Sequence, residues 1–182
     1  MARAVTRKKM LTTRTFRLDE EIDRVLEVEA ERQFLSVNAL VNKILRRYKN
    51  FGRFAERHEV IHFFHNEAKT VLDRLNPDGL QELGKRLGAT SPQATLNLMG
   101  MEVAMESLAF YIEEVMSRYL RWCKVEKVVF DDRVRYSLRH DLGVGWSNFL
   151  HSYLEAMLKY LFKARASVEL VGDVVVCTIW KS

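Results

Sequence analysis

A chain of 182 residues, 48% hydrophobic and 29% charged, has the balance of a globular protein of one or two domains. No run approaches eighteen apolar residues and no apolar stretch follows the basic start, so the sequence predicts a cytoplasmic chain without a membrane-spanning helix or secretory signal. The net charge of +5 is uneven: residues 1–57 hold 14 Lys and Arg against 8 Asp and Glu, whereas residues 58–182 hold 15 against 16.

In chain order, residues 1–11 form a basic arm carrying Arg3, Arg7, Lys8 and Lys9 with no acid among them. Uncompensated cations attract phosphate and release counterions on binding nucleic acid. The next domain spans residues 12–57. From Thr13 the run Thr-Arg-Thr-Phe-Arg-Leu alternates, which predicts a short strand with Phe16 and Leu18 on one face and Thr13, Thr15 and Arg17 on the other. Asp19 then suits a helix N-cap, and Glu20 and Glu21 suit the positive end of its dipole. Ile22, Val25, Leu26 and Ala30 recur at helical spacing to about Phe34. Ser36 reads as a second N-cap, and Leu40, Val41, Ile44, Leu45 and Tyr48 form the stripe of a second helix that runs on toward Glu56.

One strand and two helices in about forty residues complete no core and leave both strand edges open. Pairing two copies solves both problems, with a two-stranded ribbon above four helices.

The segment Thr13–Tyr48 resembles the ribbon-helix-helix family of repressors and antitoxins, of the Arc/MetJ/CopG type. The resemblance rests on the strand-to-helix junction Arg-Thr-Phe-Arg-Leu-Asp-Glu-Glu-Ile and the second helix Leu-Ser-Val-Asn-Ala-Leu-Val-Asn-Lys-Ile-Leu. It implies an obligate homodimer, with higher oligomers left open, that reads the major groove of double-stranded DNA through Thr13, Thr15 and Arg17. The start of the second helix, at Ser36, Val37 and Asn38, would then grip a phosphate, with Arg7, Lys8 and Lys9 adding further phosphate contacts. Two positions depart from the family pattern. Phe34 stands where a glycine usually makes the inter-helix turn, and Arg14 occupies a strand position that is usually apolar.

Residues 58–182 read as a C-terminal α+β sensor or oligomerisation domain, mainly helical and ending β-β-α-β-β. After a short apolar stretch at 60–64, the pattern predicts a helix near 67–75 and another from Asn76-Pro77 to about Leu87. Gly88 ends that helix, and Ser91-Pro92 opens a further one. A long Met- and aromatic-rich helix follows over 101–122. Residues 125–130 and 134–138 form a hairpin about Asp131-Asp132, 145–163 a helix, and 167–171 and 174–179 strands joined at Gly172-Asp173. The segment Arg135–Ser147 is similar to one found in archaeal proteins that carry a ribbon-helix-helix module, which implies no function for it. Within it, a loop of His140, Gly143, Gly145 and Trp146 could hold a ligand or serve as a tight strand-to-helix turn.

His58-Glu59-Val60-Ile61-His62 matches the His-Glu-x-x-His pattern of zinc peptidases, with His65 beyond it. Val60-Ile61-His62-Phe63-Phe64 favours a strand or a helix end, and period-two spacing would separate Glu59 from both histidines. No metal, cofactor or enzymatic activity is therefore expected. Cys123 and Cys177 make no zinc pattern, and their pairing is left open. The sequence reads as a transcriptional regulator, with an antitoxin-like protein whose C-terminal part binds a partner protein as the first alternative and a metal-dependent enzyme using His58, Glu59 and His62 as the second.

Overall fold

In the computed structural model, which describes residues 12–56 and 63–181, Glu20, Glu21 and Asp23 fill the first turn of helix α1 (Glu20–Arg32). Their charge complements the helix dipole. Asp19 sits extended at the N-cap, but its side chain makes no capping hydrogen bond. The far end closes on two backbone bonds. Leu35 N–H donates to the Ala30 carbonyl at 2.9 Å and Phe34 N–H to the Glu31 carbonyl at 3.0 Å. This is the six-to-one and five-to-two pairing of a Schellman turn, whose pivot must be left-handed. Phe34 is that pivot, at φ 54°, with its ring 96% exposed. The glycine geometry is kept although the residue is not glycine, at a cost of about 1–2 kcal/mol.

Helix α2 (Val37–Arg47) starts at Ser36, whose Oγ accepts from Ala39 N–H at 3.2 Å. Lys43 Nζ reaches back to Gln33 Oε1 at 2.6 Å and ties α2 to the end of α1. These elements belong to the first of two compact units, Met1–Tyr48 and Lys49–Ser182. The strand expected over residues 13–18 is absent: among the described residues the first strand starts at Lys124. A ladder needs a second strand to receive its hydrogen bonds, and one copy of this segment has none.

The second unit is α+β. After a π-helical stretch (Tyr48–Gly52) and the single turn α3 (Arg53–Ala55) come α4 (His65–Leu72), α5 (Pro77–Leu98) and α6 (Met105–Phe110). α6 runs on as a π-helix over Tyr111–Tyr119. Strands β1 (Lys124–Val129) and β2 (Arg133–Arg139) form the first hairpin, and α7 (Val144–Ala156), extended as a π-helix over Met157–Phe162, crosses the sheet. β3 (Ala166–Val171) and β4 (Val174–Trp180) form the second hairpin. All pairs are antiparallel and the sheet order is β1-β2-β4-β3. The β-β-α-β-β ending thus has the form its alternation and turn residues predict.

Alternation sends Tyr136, Leu138, Val175, Cys177 and Ile179 to one face, where they meet Leu150, Leu154 and Met157 of the helical layer. Helix α5 lies on α7, and here the sequence expectation fails. Gly88 and Ser91-Pro92 do not break it; one helix runs from Pro77 to Leu98. Its buried residues are Leu80, Gly84, Gly88, Pro92 and Leu96, a strict four-residue ridge. A Cβ on Gly84 would lie 2.5 Å from the Phe149 carbonyl oxygen, and one on Gly88 would overlap that of Tyr153. The glycines are present for backbone-to-backbone packing, and that contact outweighs their local tendency to end a helix. Where the two helices meet the core, the Tyr111 and Tyr153 hydroxyls bond to each other out of solvent.

Candidate functional site

Thr13, Thr15 and Arg17 lie exposed in the segment leading into α1. Beside them Phe16 and Leu18 are also exposed, as are Ile22 and Val25 of α1, Ile44 and Leu45 of α2, and Tyr48 directly after it. Among the described residues of this unit only Ala30 and Leu40 are buried. The amphipathic stripes therefore exist as written in the sequence, but among the described residues of this unit much of their apolar surface stays exposed.

At the start of α2, Ser36 Oγ is committed to its cap. Asn38 accepts from the Asn42 side-chain amide through its carbonyl (2.9 Å) and its Oδ1 (3.1 Å). The first-turn N–H groups of Val37 and Asn38 are among those a helix leaves without an intrahelical acceptor, the feature that suits a phosphate. Arg7, Lys8 and Lys9 lie outside the described residues, and so do His58, Glu59 and His62 of the zinc-like motif.

His65, the first residue of α4, does have a partner: its Nε2 lies 2.6 Å from Asp141 Oδ1 in an exposed pair. Among the described residues no group of three His, Cys, Asp or Glu side chains is placed to hold a metal ion.

The His140–Ser147 loop is built into the core. Leu142 N–H donates to His140 Nδ1 at 3.3 Å, so that nitrogen keeps its lone pair. In the neutral ring the proton sits on Nε2, which donates to the buried Ser147 Oγ at 3.1 Å. Burial pushes the His140 pKa below its ordinary value, against the opposing pull of the Asp173 and Asp141 carboxylates. Both ring nitrogens are occupied, which leaves no lone pair for a ligand.

Gly143 turns the chain at φ 86°. Gly145 lies so close to α5 that a Cβ would fall 2.8 Å from Leu80 Cδ1. Trp146 stacks on Phe149 at 4.5 Å, meets Trp122 edge-on, and donates its Nε1–H to the Trp122 carbonyl at 3.1 Å. The loop thus serves as a strand-to-helix joint whose distinctive residues are consumed in packing.

The sequence reading missed a second charged surface. Arg133, Arg135 and Arg139 alternate along β2 opposite the core-facing Val134, Tyr136 and Leu138. The period-two signal is plain in Arg-Val-Arg-Tyr-Ser-Leu-Arg, but only the sheet register shows what joins it on that face. No family model matches the chain, and no curated protein does either. Among the described residues no helix is long and apolar enough to cross a membrane.

Proposed function

We propose that this chain is a dimeric, sequence-specific DNA-binding transcriptional regulator of ribbon-helix-helix type. The segment 13–18 of one copy pairs with that of a second, and Thr13, Thr15 and Arg17 face the major groove. The observation that carries the reading is the unclosed first unit, where apolar stripes on two capped helices stay open beside an acid-free basic segment.

Burying the remaining halves of Phe16, Leu18, Ile22, Val25, Ile44 and Leu45 would contribute on the order of 1 kcal/mol each, doubled by symmetry. That is enough to make pairing obligatory for a unit with so little interior of its own. The positive φ at Phe34 supports the same reading, because the inter-helix turn keeps the left-handed form that the family's glycine provides.

Arginine binds guanine O6 and N7 bidentately, and threonine donates, accepts or touches a thymine methyl, so the three side chains have the chemistry of a base reader. The free N–H groups at the start of α2 and the arm cations would hold the flanking phosphates.

Selection of bound fragments from randomised duplexes tests this directly. The wild-type chain should enrich a two-fold symmetric operator. The Arg17→Ala, Thr15→Ala double variant should lose the preference while its mass in solution stays that of a dimer. An unchanged operator in the double variant, or a wild-type chain that is monomeric at micromolar concentration, would sink the assignment.

A further inference from the structure

The helices of the second unit cover one face of its sheet; the other carries a segregated charge. By register, Lys124 of β1 and Arg133, Arg135 and Arg139 of β2 lie on that outer face, and Arg165, whose carbonyl accepts from Trp180 N–H just before β3, joins it over the Trp180 ring. The acids among them on the strands are Glu126 and Glu169, although residues 58–182 as a whole carry one more acid than base.

Three of the guanidinium groups lie against aromatic rings. Arg133 and Arg135 lie over Phe130 at 4.6 and 5.8 Å, Arg165 lies over Trp180 at 5.6 Å, and Arg133 is the register partner of Trp180. These three guanidiniums and two rings make one cluster. A ring beside the cation holds it by cation–π attraction while its N–H groups can still bind an oxyanion. Arg133 pairs with Asp132 and Arg139 with Glu126, whereas Lys124, Arg135 and Arg165 form no ion pair among the described residues.

We propose that this outer sheet face binds the phosphate backbone of duplex DNA without reading its bases. Charge complementarity favours a polyanion over a second copy of the chain. A two-fold contact would set the same cluster against itself, like charge to like. Binding at the sheet face does not depend on the ribbon proposed for the first unit.

The test uses the full chain and a 30-base-pair duplex of random sequence, with affinity followed by fluorescence anisotropy across a salt series. The variants are Lys124→Glu/Arg135→Glu/Arg165→Glu and, as a milder form that spares the fold, Arg135→Gln/Arg165→Gln. Each phosphate deprived of its cation should flatten the log–log salt slope by about 0.9, so the triple variant should flatten it by roughly 2–3 and bind at least tenfold more weakly. Arg135→Lys/Arg165→Lys should restore most of the slope.

Wild-type slope and affinity in both charge variants would overturn the proposal. So would a wild-type chain that ignores the random duplex, or a change of oligomeric mass in the triple variant, which would make the face a contact between copies. The Arg17→Ala, Thr15→Ala chain separates the two readings: it should lose sequence preference yet keep the random-duplex slope that the sheet face supplies.

Discussion

Gly88→Ala perturbs the contact on which the second unit is built. The new methyl would overlap the Tyr153 carbonyl oxygen, and at Gly84 the equivalent Cβ sits 2.5 Å from that of Phe149, where ordinary contact starts at 3.4 Å. The atoms met are backbone, so no side-chain rotation relieves the overlap and α5 must move off α7 by about 1 Å. A gap of that size forfeits roughly a quarter to a half of the dispersion energy along the seam. Overpacking of this kind costs about 1–3 kcal/mol, while alanine recovers about 0.8–1.0 kcal/mol of helix propensity. With both effects counted and the obstruction rigid, we expect a net loss of about 2 kcal/mol, or roughly 4–8 °C in Tm. Calorimetry and urea midpoints measure it. Gly79→Ala is the control, since its Cβ would meet nothing closer than Asn76 Cβ at 3.9 Å. That variant should match or exceed wild type by about 0.4–1 kcal/mol. A Gly88→Ala chain as stable as the Gly79→Ala control would refute the close-packing account of the ridge.

Phe34→Gly should stabilise the first unit by about 0.5–1 kcal/mol, as relief of the left-handed strain exceeds the added chain entropy; a lower midpoint in chemical unfolding would show that the exposed ring does hidden packing. Ser36→Ala removes the Oγ acceptor for Ala39 N–H and should cost about 1 kcal/mol in the same assay. His140 titrates lower in the folded chain than in the unfolded one, so the unfolded state takes up the proton first. Stability of the second unit should therefore fall as pH drops below about 6.5 and level off below the folded pKa. His140→Gln should flatten that dependence in unfolding curves taken from pH 7.5 to 5. Tyr153→Phe removes one of the two side-chain partners of the buried Tyr111 hydroxyl and leaves it the Thr95 side chain, so it should cost about 0.5–1.5 kcal/mol by thermal melting.

Elements whose signals are local were legible in the sequence. The two hairpins follow from strand alternation about Asp131-Asp132 and Gly172-Asp173, and α2 from Ser36 and its apolar stripe. The continuity of α5 was not legible, because Gly88 and Ser91-Pro92 carry the chemistry of a helix end and only the neighbouring α7 backbone gives them another use. The four-residue recurrence from Leu80 to Leu96 was the available clue. Segment 13–18 shows the converse: its alternation is real, but a strand needs a partner to receive its hydrogen bonds, and among the described residues of one chain it has none. The His140 loop was found by residue type with two roles left open, since glycines beside a helix start serve anion binding and close packing alike, and only the neighbouring α5 and Trp122 show how its residues pack. Arg133 and Arg135 were visible as alternating cations, yet their junction with Arg165 and Trp180 depends on a register that joins residues far apart in the chain.

Both cysteines lie in the second unit, Cys177 fully buried in the central strand β4 and Cys123 nearly so just before β1. Burial pushes each thiol up to about 12, and thiolate is the form that attacks alkylating reagents. Reaction at either sulfur therefore waits for the fold to open. Since residues 1–48 contain no cysteine, the pace of alkylation is a clock for the opening of the second unit alone, readable in the intact chain whatever the first unit is bound to.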